Sequence, residues 1–384
     1  MDTVEENGRD SPVLEEPFAP LYKIRVADAV KNGEAVQFTI KVHKVKDDED
    51  GFVVRQFEDV EWLEHCLVTQ QGVSGLIFPP LPPRPELDAR SAEAKSKKQL
   101  GSSTKVIVGD EFQKDCRNLE KYLRLLISHE VFGKERALEN FLTLKETYGN
   151  LRRQTELRLR KELMSRLSNV VGEVRKGGHR DIDEKFQQVR DWSSEYLSAL
   201  KEDSANFKKT VFAQRRLAGA YGHLGTSLTS TSVYKDESSD KVDKLMGCLA
   251  EAMNDAKHGL EVLSTNDEKT LGFQLEFYCR YMDSLKEMLY RRTCLLVQYE
   301  DANKALEKAK PQKRQAAEEA QEAAQKAYNS CTDMARRELK TFEQERLRAF
   351  QHGLSAYAES QVKTARDTYA LLVKSLATVK KMDI

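Results

Sequence analysis

The stretch LGFQLEFYCRYMDSLKEML, residues 271–289, decides the fold class of this chain. Apolar side chains recur along it at alternating steps of four and three residues, which places them on one face of a helix. Because the average spacing stays at about 3.5 residues, the pattern predicts a long helix that wraps around neighbouring helices. The members of this stripe are Leu271, Leu275, Tyr278, Met282, Leu285 and Leu289.

Similar stripes continue toward the C-terminus, and the prolines indicate how far the helices extend. No proline occurs between Pro85 and Pro311 or after Pro311, so very long helices are allowed there. Breaks at the polar residues 227–239 and at Pro311 predict three helices, at about 181–228, 240–309 and 312–382. A helix of seventy residues is roughly 100 Å long, which predicts an elongated bundle that is completed by dimerisation. The apolar seam that forms the helix core and the dimer interface is predicted at Leu275, Met282, Leu285, Leu372 and Leu376.

The N-terminal part of the chain has a different pattern. Residues 1–17 are acidic and poor in apolar groups, which predicts a disordered tail. Turn signals at 31–33 and 47–51 separate three strand-like runs and predict a β-meander. Helices, a proline-rich segment and a polar loop follow. The strands are expected at 21–26, 36–42 and 52–57, the first helix at 58–68, the prolines at 79–85, the loop at 86–110 and further helices within 111–147.

Composition and missing motifs exclude several classes of function. The 384 residues carry 62 Lys+Arg and 62 Asp+Glu, and this zero net charge argues against a protein that coats nucleic acid. The acidic N-terminus lacks the apolar core of a secretory signal, and six widely spaced cysteines predict the reduced thiols of a cytoplasmic protein. Phosphate-binding glycine loops, nucleophile elbows and zinc-binding histidine spacings are missing from the sequence. We therefore predict no enzyme, no catalytic residue, no metal site and no cofactor.

Three groups of basic residues suggest contacts with anions. In the first group, three arginines are expected around the aromatic ring of Phe57. Arginine suits phosphate because its planar guanidinium group donates two parallel hydrogen bonds. Scattered surface arginines are the alternative interpretation. The three are Arg55, Arg84 and Arg117.

The second group lies in residues 151–176, where apolar side chains follow a helical spacing. Such a basic helix either lies in a bilayer interface or docks its apolar face on neighbouring helices. The third group surrounds Pro311 at the tip between two helices, where each cation near an anionic surface contributes about 1 kcal/mol and a solvated turn is the alternative. The second group includes Arg152, Arg153, Arg158, Arg160, Lys161 and Arg166, and the third consists of Lys304, Lys308, Lys310, Lys313 and Arg314.

These features together resemble a known architecture. The meander followed by VRQFEDVEWL (54–63), FPPLPP (78–83) and RNLEKYL (117–123) is similar to a PX (phox-homology) domain. The long helices resemble a BAR domain, and LYRRT (289–293) and NKALEKA (303–309) resemble the sorting nexin five/six subgroup of the PX-BAR sorting nexins. The resemblance implies an α+β PX domain, a three-stranded β-meander plus helices, followed by an all-α three-helix BAR domain that forms an elongated curved dimer. The implied parts are a disordered acidic tail (1–17), a PX domain (18–149), a linker amphipathic helix (150–178) and a BAR domain (179–384).

The resemblance also implies what such a chain does. PX-BAR sorting nexins bind curved, phosphoinositide-containing membrane of early endosomes and their tubules, and they sort cargo for retrograde transport to the Golgi. Members of this subgroup pair with a sorting nexin of the one/two type, so that a homodimer and a heterodimer are both open, and cargo tails or dynein–dynactin are further partners. The alternative is a helical adaptor that recruits proteins while a heterodimer partner supplies lipid binding.

Two departures from the family pattern affect these expectations. In PX domains that bind phosphatidylinositol 3-phosphate, an arginine directly before the aromatic residue holds the phosphate, and here Gln56 occupies that position. Glutamine carries no charge, so two charge-assisted hydrogen bonds of roughly 1.5–3 kcal/mol each are missing and weak phosphoinositide binding is expected. The loop at 86–110 is shorter than the helical extension of the subgroup, which argues against cargo capture in the groove that the extension forms.

Overall fold

A computed structural model of the chain describes residues 18–32, 35–70, 72–85, 112–144, 179–229 and 237–381. The chain forms two compact units. The sheet unit consists of the β-meander with its helices, and the helical unit consists of the long helices together with the segment Val68–Pro80. The tail predicted at 1–17, the loop at 86–110 and the amphipathic helix at 150–178 lie outside the described residues.

The sheet is an antiparallel β-meander, as its alternating apolar pattern predicts. Its strands are β1 (Tyr22–Asn32), β2 (Ala35–Lys44) and β3 (Glu49–Gln56), in the order β1-β2-β3. Ile24 lies opposite Val42, and Ile40 lies opposite Val53. Alternate side chains point to opposite faces of a strand, so these four share one buried face.

Three helices complete the sheet unit: α1 (Phe57–Val68), α2 (Gln113–Ser128) and α3 (Arg136–Thr143). The first begins directly after β3, because the Asp59 carboxylate accepts a hydrogen bond from the Gln56 backbone N–H at 2.8 Å. Glu120 of α2 accepts a hydrogen bond from the Val26 backbone N–H at 2.9 Å, where β1 has an irregular register. Apolar residues of the helices, Leu123 and Phe141 among them, fill the core against the sheet.

The helical unit contains three long helical segments, which confirms the prediction from the apolar stripes. The first is α4 (Glu184–Leu228), and the second comprises α5 (Glu237–Asp267), a π-helical turn (Glu268–Gly272) and α6 (Phe273–Glu307). The third is α7 (Arg314–Lys380). A short 3₁₀ turn at Pro311–Lys313 precedes α7, as expected for a proline that cannot continue a helix.

The sequence pattern does not predict the π-helical turn in the middle segment. Such a turn contains one residue more than an α-helical turn and usually occurs singly inside a longer helix. A Cβ atom at Gly272 would lie 3.2 Å from the Asp267 carbonyl oxygen and 3.3 Å from the Phe207 ring of α4. The small residue thus allows α4 to approach the irregular turn closely.

The apolar stripe that decides the fold class lies in the core of the helical unit. Leu275 is 8% exposed, and Met282 and Leu285 are 0% exposed. Tyr281 of α6 packs edge-to-face on Phe342 of α7, with ring centroids 4.8 Å apart. Such an aromatic pair contributes about 0.5–1.5 kcal/mol beyond the area it buries. This half of the predicted seam therefore holds α6 against the helices of its own chain.

The segment Val68–Pro80 groups with the long helices rather than with the sheet. Arg291 of α6 donates from Nη2 to the Leu76 carbonyl oxygen at 2.6 Å. The Ile77 backbone N–H donates to Glu338 Oε2 of α7 at 3.2 Å. Both α6 and α7 therefore hold this irregular segment through its backbone groups.

We expect Gly75→Ala to destabilise the helical unit, because Gly75 lies directly against α7. A Cβ atom would approach the Cys331 carbonyl oxygen to 2.5 Å and the Ala335 backbone N to 3.0 Å. Overpacking of this kind costs about 1–3 kcal/mol of unfolding free energy. Chemical denaturation measures the loss, and Gly247→Ala, whose Cβ meets open space, is the matched control. A loss no larger than that of the control would contradict the close contact.

Candidate functional site

The predicted anion site of the sheet unit brings two of its members into contact. Phe57 is buried at the start of α1, and the guanidinium carbon of Arg84 lies 5.2 Å from the centroid of its ring. A cation over an aromatic face is attracted by the electrons of the ring. The Arg84 side chain is 56% exposed, so its guanidinium group is accessible from solvent.

Two carboxylates of α1 bind the guanidinium group of Arg84. Its Nη1 donates to Glu58 Oε1 at 3.0 Å, and its Nη2 donates to Glu61 Oε2 at 2.8 Å. These are charge-assisted hydrogen bonds of the kind that a phosphate would make, so a phosphate must compete with both carboxylates. Sequence reasoning missed the two acids, although residues three apart at the start of a helix share one face.

The structure places Arg55 in the core of the sheet unit. Arg55 is 3% exposed, and its Nε donates to the Phe141 carbonyl oxygen at 2.9 Å while its Nη2 donates to that of Leu144 at 2.6 Å. These hydrogen bonds satisfy carbonyl groups at the C-terminal end of α3. The guanidinium group thus fastens α3 to β3, and this placement argues against the lipid-binding role predicted for Arg55.

The remaining predicted members of the anion site are half-buried. Gln56 ends β3 opposite Gln37 of β2, and Arg117 lies in the first turns of α2. The pairing of Phe57 with Arg84 is therefore the part of the site that the geometry assembles. The lipid-binding roles of Gln56, Phe57, Arg84 and Arg117 stay predictions.

The five basic residues of the predicted tip lie where α6 ends and α7 begins, and all are exposed. Two of them pair with acids of their own helix: Lys304 with Asp301 at 3.7 Å, and Arg314 with Glu318 at 3.1 Å. The other three form no ion pair with any residue that the structure describes. The unpaired lysines are Lys308, Lys310 and Lys313.

An exposed apolar stripe runs along the C-terminal part of α7. Its members alternate at steps of three and four residues, the spacing of a coiled-coil seam. Tyr369 is 71% exposed and Leu376 is 53% exposed, whereas Thr368, on another face of the helix, packs against Gly259 of α5. Shorter exposed stripes occur on α4 and α5. The stripe of α7 consists of Val362, Ala365, Tyr369, Leu372 and Leu376, and the shorter ones include Leu217 and Leu224 on α4 and Val242, Met246 and Leu249 on α5.

The predicted seam thus consists of two different surfaces. Leu275, Met282 and Leu285 are buried within the helical unit, whereas Leu372 and Leu376 are exposed on it. Soluble monomers rarely expose large apolar patches, so exposed stripes on three helices indicate places where another chain packs. We define the exposed stripes of α4, α5 and α7 as the open seam.

Comparison with known proteins identifies the family of the chain. The family model of the PX domain matches residues 43–145, and the family model described as "Vps5 C terminal like" matches residues 159–327. The chain belongs to the PX-BAR sorting nexins. This sorting nexin is 27% identical to sorting nexin-6 of Homo sapiens over 377 residues, 93% of this chain and 91% of the relative. It is also 27% identical to sorting nexin-32 of Mus musculus over 386 residues, 93% of each chain.

A solved structure shares the fold of this sorting nexin. "The cryo-EM structure of the SNX-BAR Mvp1 tetramer" matches with a TM-score of 0.60, 12% sequence identity and coverage of 93% of this chain and 100% of that chain. The resemblance to PX-BAR sorting nexins and the fold class predicted from it are thereby confirmed. The PX-BAR fold implies binding to phosphoinositide membranes and dimerisation of BAR helices, and the family is a non-enzymatic class of trafficking proteins.

Over the residues that the structure describes, no helix has the length and apolar character needed to cross a membrane. The same residues contain no group of three His, Cys, Asp or Glu side chains arranged to hold a metal ion. The six cysteines are free thiols, and burial raises the pKa of Cys66 and of Cys331 to about 11, so these two are not thiolates at neutral pH.

We expect the double variant Glu58→Gln/Glu61→Gln to bind phosphoinositide vesicles more tightly than the unaltered sorting nexin. Neutral amides compete less strongly for Arg84, and exposed ion pairs of this kind are worth about 0.2–1 kcal/mol each, which corresponds to a gain of a few-fold in affinity. Vesicle flotation measures the affinity. Glu130→Gln, which neutralises another exposed acid in an ion pair, is the matched control. Equal affinities of the double variant and the control would contradict competition at Arg84.

Proposed function

We propose that this sorting nexin binds curved endosomal membrane as a BAR dimer and supports cargo sorting and retrograde endosome-to-Golgi transport through tubule formation. It acts as a peripheral protein on the cytoplasmic side of early endosomes and their tubules. In this proposal the PX domain spans 18–149, the linker amphipathic helix 150–178 and the BAR domain 179–384. The observation that carries the proposal is the open seam, because PX-BAR helices with exposed 3–4 stripes can bury them against a partner.

The open seam supports dimerisation energetically. Full burial of a large apolar side chain contributes about 1.5–3 kcal/mol, so half-exposed residues such as Leu376 would contribute roughly 1 kcal/mol each. Two such residues lie on α4, and more lie on α5 and on α7. Their sum offsets the loss of translational and rotational freedom on association. The proposed partner is a second copy or a sorting nexin of the one/two type.

Membrane contact is proposed at the tip and along the linker. The three unpaired lysines of the tip contribute about 1 kcal/mol each near an anionic surface. A dimer presents two tips, and their simultaneous binding raises the apparent affinity beyond that of either one. The PX site adds little, because Arg84 is bound to two carboxylates. The linker cations proposed to join the tips on the membrane are Arg152, Arg153, Arg158, Arg160, Lys161 and Arg166.

Reversal of the tip charge tests the membrane proposal. We expect the triple variant Lys308→Glu/Lys310→Glu/Lys313→Glu to lose most of its co-sedimentation with anionic liposomes, by about a hundredfold for a loss of roughly 3 kcal/mol. The matched control replaces the same three lysines with arginine, which keeps the charge. Liposome binding of the glutamate variant equal to that of the arginine variant would contradict membrane contact at the tip.

A second candidate is a helical adaptor that recruits cargo tails or dynein–dynactin while its heterodimer partner holds the lipid. Two observations favour this candidate: Arg55 is buried, and Arg84 forms hydrogen bonds with two carboxylates. The anion site of the PX unit is weak for both reasons. Liposome binding distinguishes the two candidates when it is measured for the purified chain alone and for the chain mixed with a sorting nexin of the one/two type. An adaptor binds liposomes only in the mixture, whereas the leading proposal requires that the chain contribute to binding through its own tip.

A further inference from the structure

A buried carboxylate joins three helices of the helical unit at one level. Asp267, the last residue of α5, is 0% exposed. Its Oδ2 accepts a hydrogen bond from Gln214 Nε2 of α4 at 2.9 Å, and its Oδ1 accepts one from Gln361 Nε2 of α7 at 2.5 Å. Among the residues that the structure describes, Asp267 forms no ion pair, so these two neutral amides are its partners.

The burial of this carboxylate does not itself favour folding. Burial raises the pKa of Asp267, although the two amide hydrogen bonds oppose the shift. An apolar side chain of similar size would fill the position without the desolvation penalty. A buried polar group that adds little stability can nevertheless select one alignment of the helices around it.

Apolar packing alone does not determine the axial alignment of these helices. A 3–4 stripe repeats every seven residues, so a helix displaced by seven residues, about 10 Å, still presents apolar side chains to its neighbours. The displaced helix would, however, withdraw its amide from Asp267 and leave a buried carboxylate without its partner. Gln214 lies three residues before Leu217, and Gln361 directly precedes Val362, so both amides lie next to the open seam.

We propose that Asp267 fixes the helix register, which is the axial alignment of α4, α5 and α7. The fixed register positions their exposed stripes as one partner-binding face. The partner-binding half of this inference rests on the dimer proposed above, whereas the alignment within one protomer is independent of it. On the tip side of Asp267, a separate buried cluster, in which Arg292 binds Asp181 and Thr332, connects α6 and α7 to the residues before α4. Asp267 therefore governs the half that carries the open seam.

The test replaces Asp267 and its two amide partners with apolar side chains in the full chain. The triple variant Asp267→Leu/Gln214→Leu/Gln361→Leu removes the carboxylate and both amides that bind it. The control is Asp267→Asn, which keeps a hydrogen-bonding side chain of the same shape. Genetically encoded spin labels at the exposed positions Lys209 of α4 and Lys363 of α7 report the distance between these helices by electron resonance. Sedimentation equilibrium reports the dimer dissociation constant.

We expect one narrow distance for the unaltered chain and for Asp267→Asn, and several distances for the triple variant at an unchanged or higher melting temperature. The dimer of the triple variant should weaken by about tenfold or more, since its stripes no longer form one face. A single unaltered distance in the triple variant overturns the proposal. If that variant loses its helical circular dichroism, Gln361→Leu, which frees α7 alone, is measured instead with the same criterion. An unaltered chain that stays monomeric overturns the homodimer, and the distances alone then decide whether Asp267 fixes the helix register.

Discussion

Arg292→Ala is expected to lower the unfolding free energy of the helical unit by about 3–5 kcal/mol, because it leaves a carboxylate buried without its cation. Arg292 is 1% exposed and forms an ion pair with Asp181, whose side chain is equally buried. Its Nη2 donates to the Tyr328 hydroxyl at 2.7 Å, and its guanidinium carbon lies 3.6 Å from the centroid of the Phe186 ring. The cluster ties the residues before α4 to both α6 and α7.

Urea denaturation of the full chain measures this loss, with Arg337→Ala as the control. Arg337 is also an arginine in a long helix, but it is exposed, and exposed substitutions of this kind usually change stability by less than about 0.5 kcal/mol. A double variant, Arg292→Met/Asp181→Leu, should recover much of the lost stability because no charge then remains buried. If Arg292→Ala is as stable as the control, the ion pair does not hold the helices together.

Leu372→Asp is expected to weaken dimerisation strongly while it leaves the folded protomer intact. Leu372 is 41% exposed on the open seam, so a carboxylate there remains hydrated in the monomer and becomes buried only in the dimer. The dissociation constant should rise by about a hundredfold, which corresponds to roughly 3 kcal/mol. Sedimentation equilibrium measures the change in dissociation constant.

The same substitution in the core is the matched control for Leu372→Asp. Leu275 is 8% exposed within the helical unit, and Leu275→Asp should reduce the stability of the protomer itself by about 4 kcal/mol or more. The two variants thus separate folding from association with one chemical change. A Leu372→Asp chain that keeps the dissociation constant of the unaltered chain would mean that the open seam is not the dimer interface.

The large-scale fold could be predicted from the sequence because its signals are local. Periodic apolar residues and the distribution of proline indicate long helices, and alternation around turn residues indicates a meander. The π-helical turn at Glu268–Gly272 lacks such a signal, and the close approach of Phe207 to Gly272 joins residues that are distant in sequence. The attachment of the segment Val68–Pro80 to α6 and α7 depends on contacts distant in sequence, which no local pattern encodes.

The candidate site was harder to predict, because a basic residue can be exposed, paired or buried. Strand alternation in β3 offered a usable signal, since Arg55 shares the inward face with Val53 and not the outward face with Phe52. Arg291 and Arg292 resemble part of a basic surface in sequence, yet both are engaged by groups of their own chain. The stripe at 362–376 is periodic in the same way as a core stripe. Periodicity alone does not show whether such a stripe packs against a helix of its own chain or against a second chain.

Liposome flotation of the unaltered chain and of Leu372→Asp, each with small and with large anionic vesicles, tests the central claim most directly. If the sorting nexin binds curved membrane as a dimer, the unaltered chain floats preferentially with the small vesicles, and Leu372→Asp loses both this preference and most of its binding. Equal binding of both proteins to vesicles of either size would contradict the account.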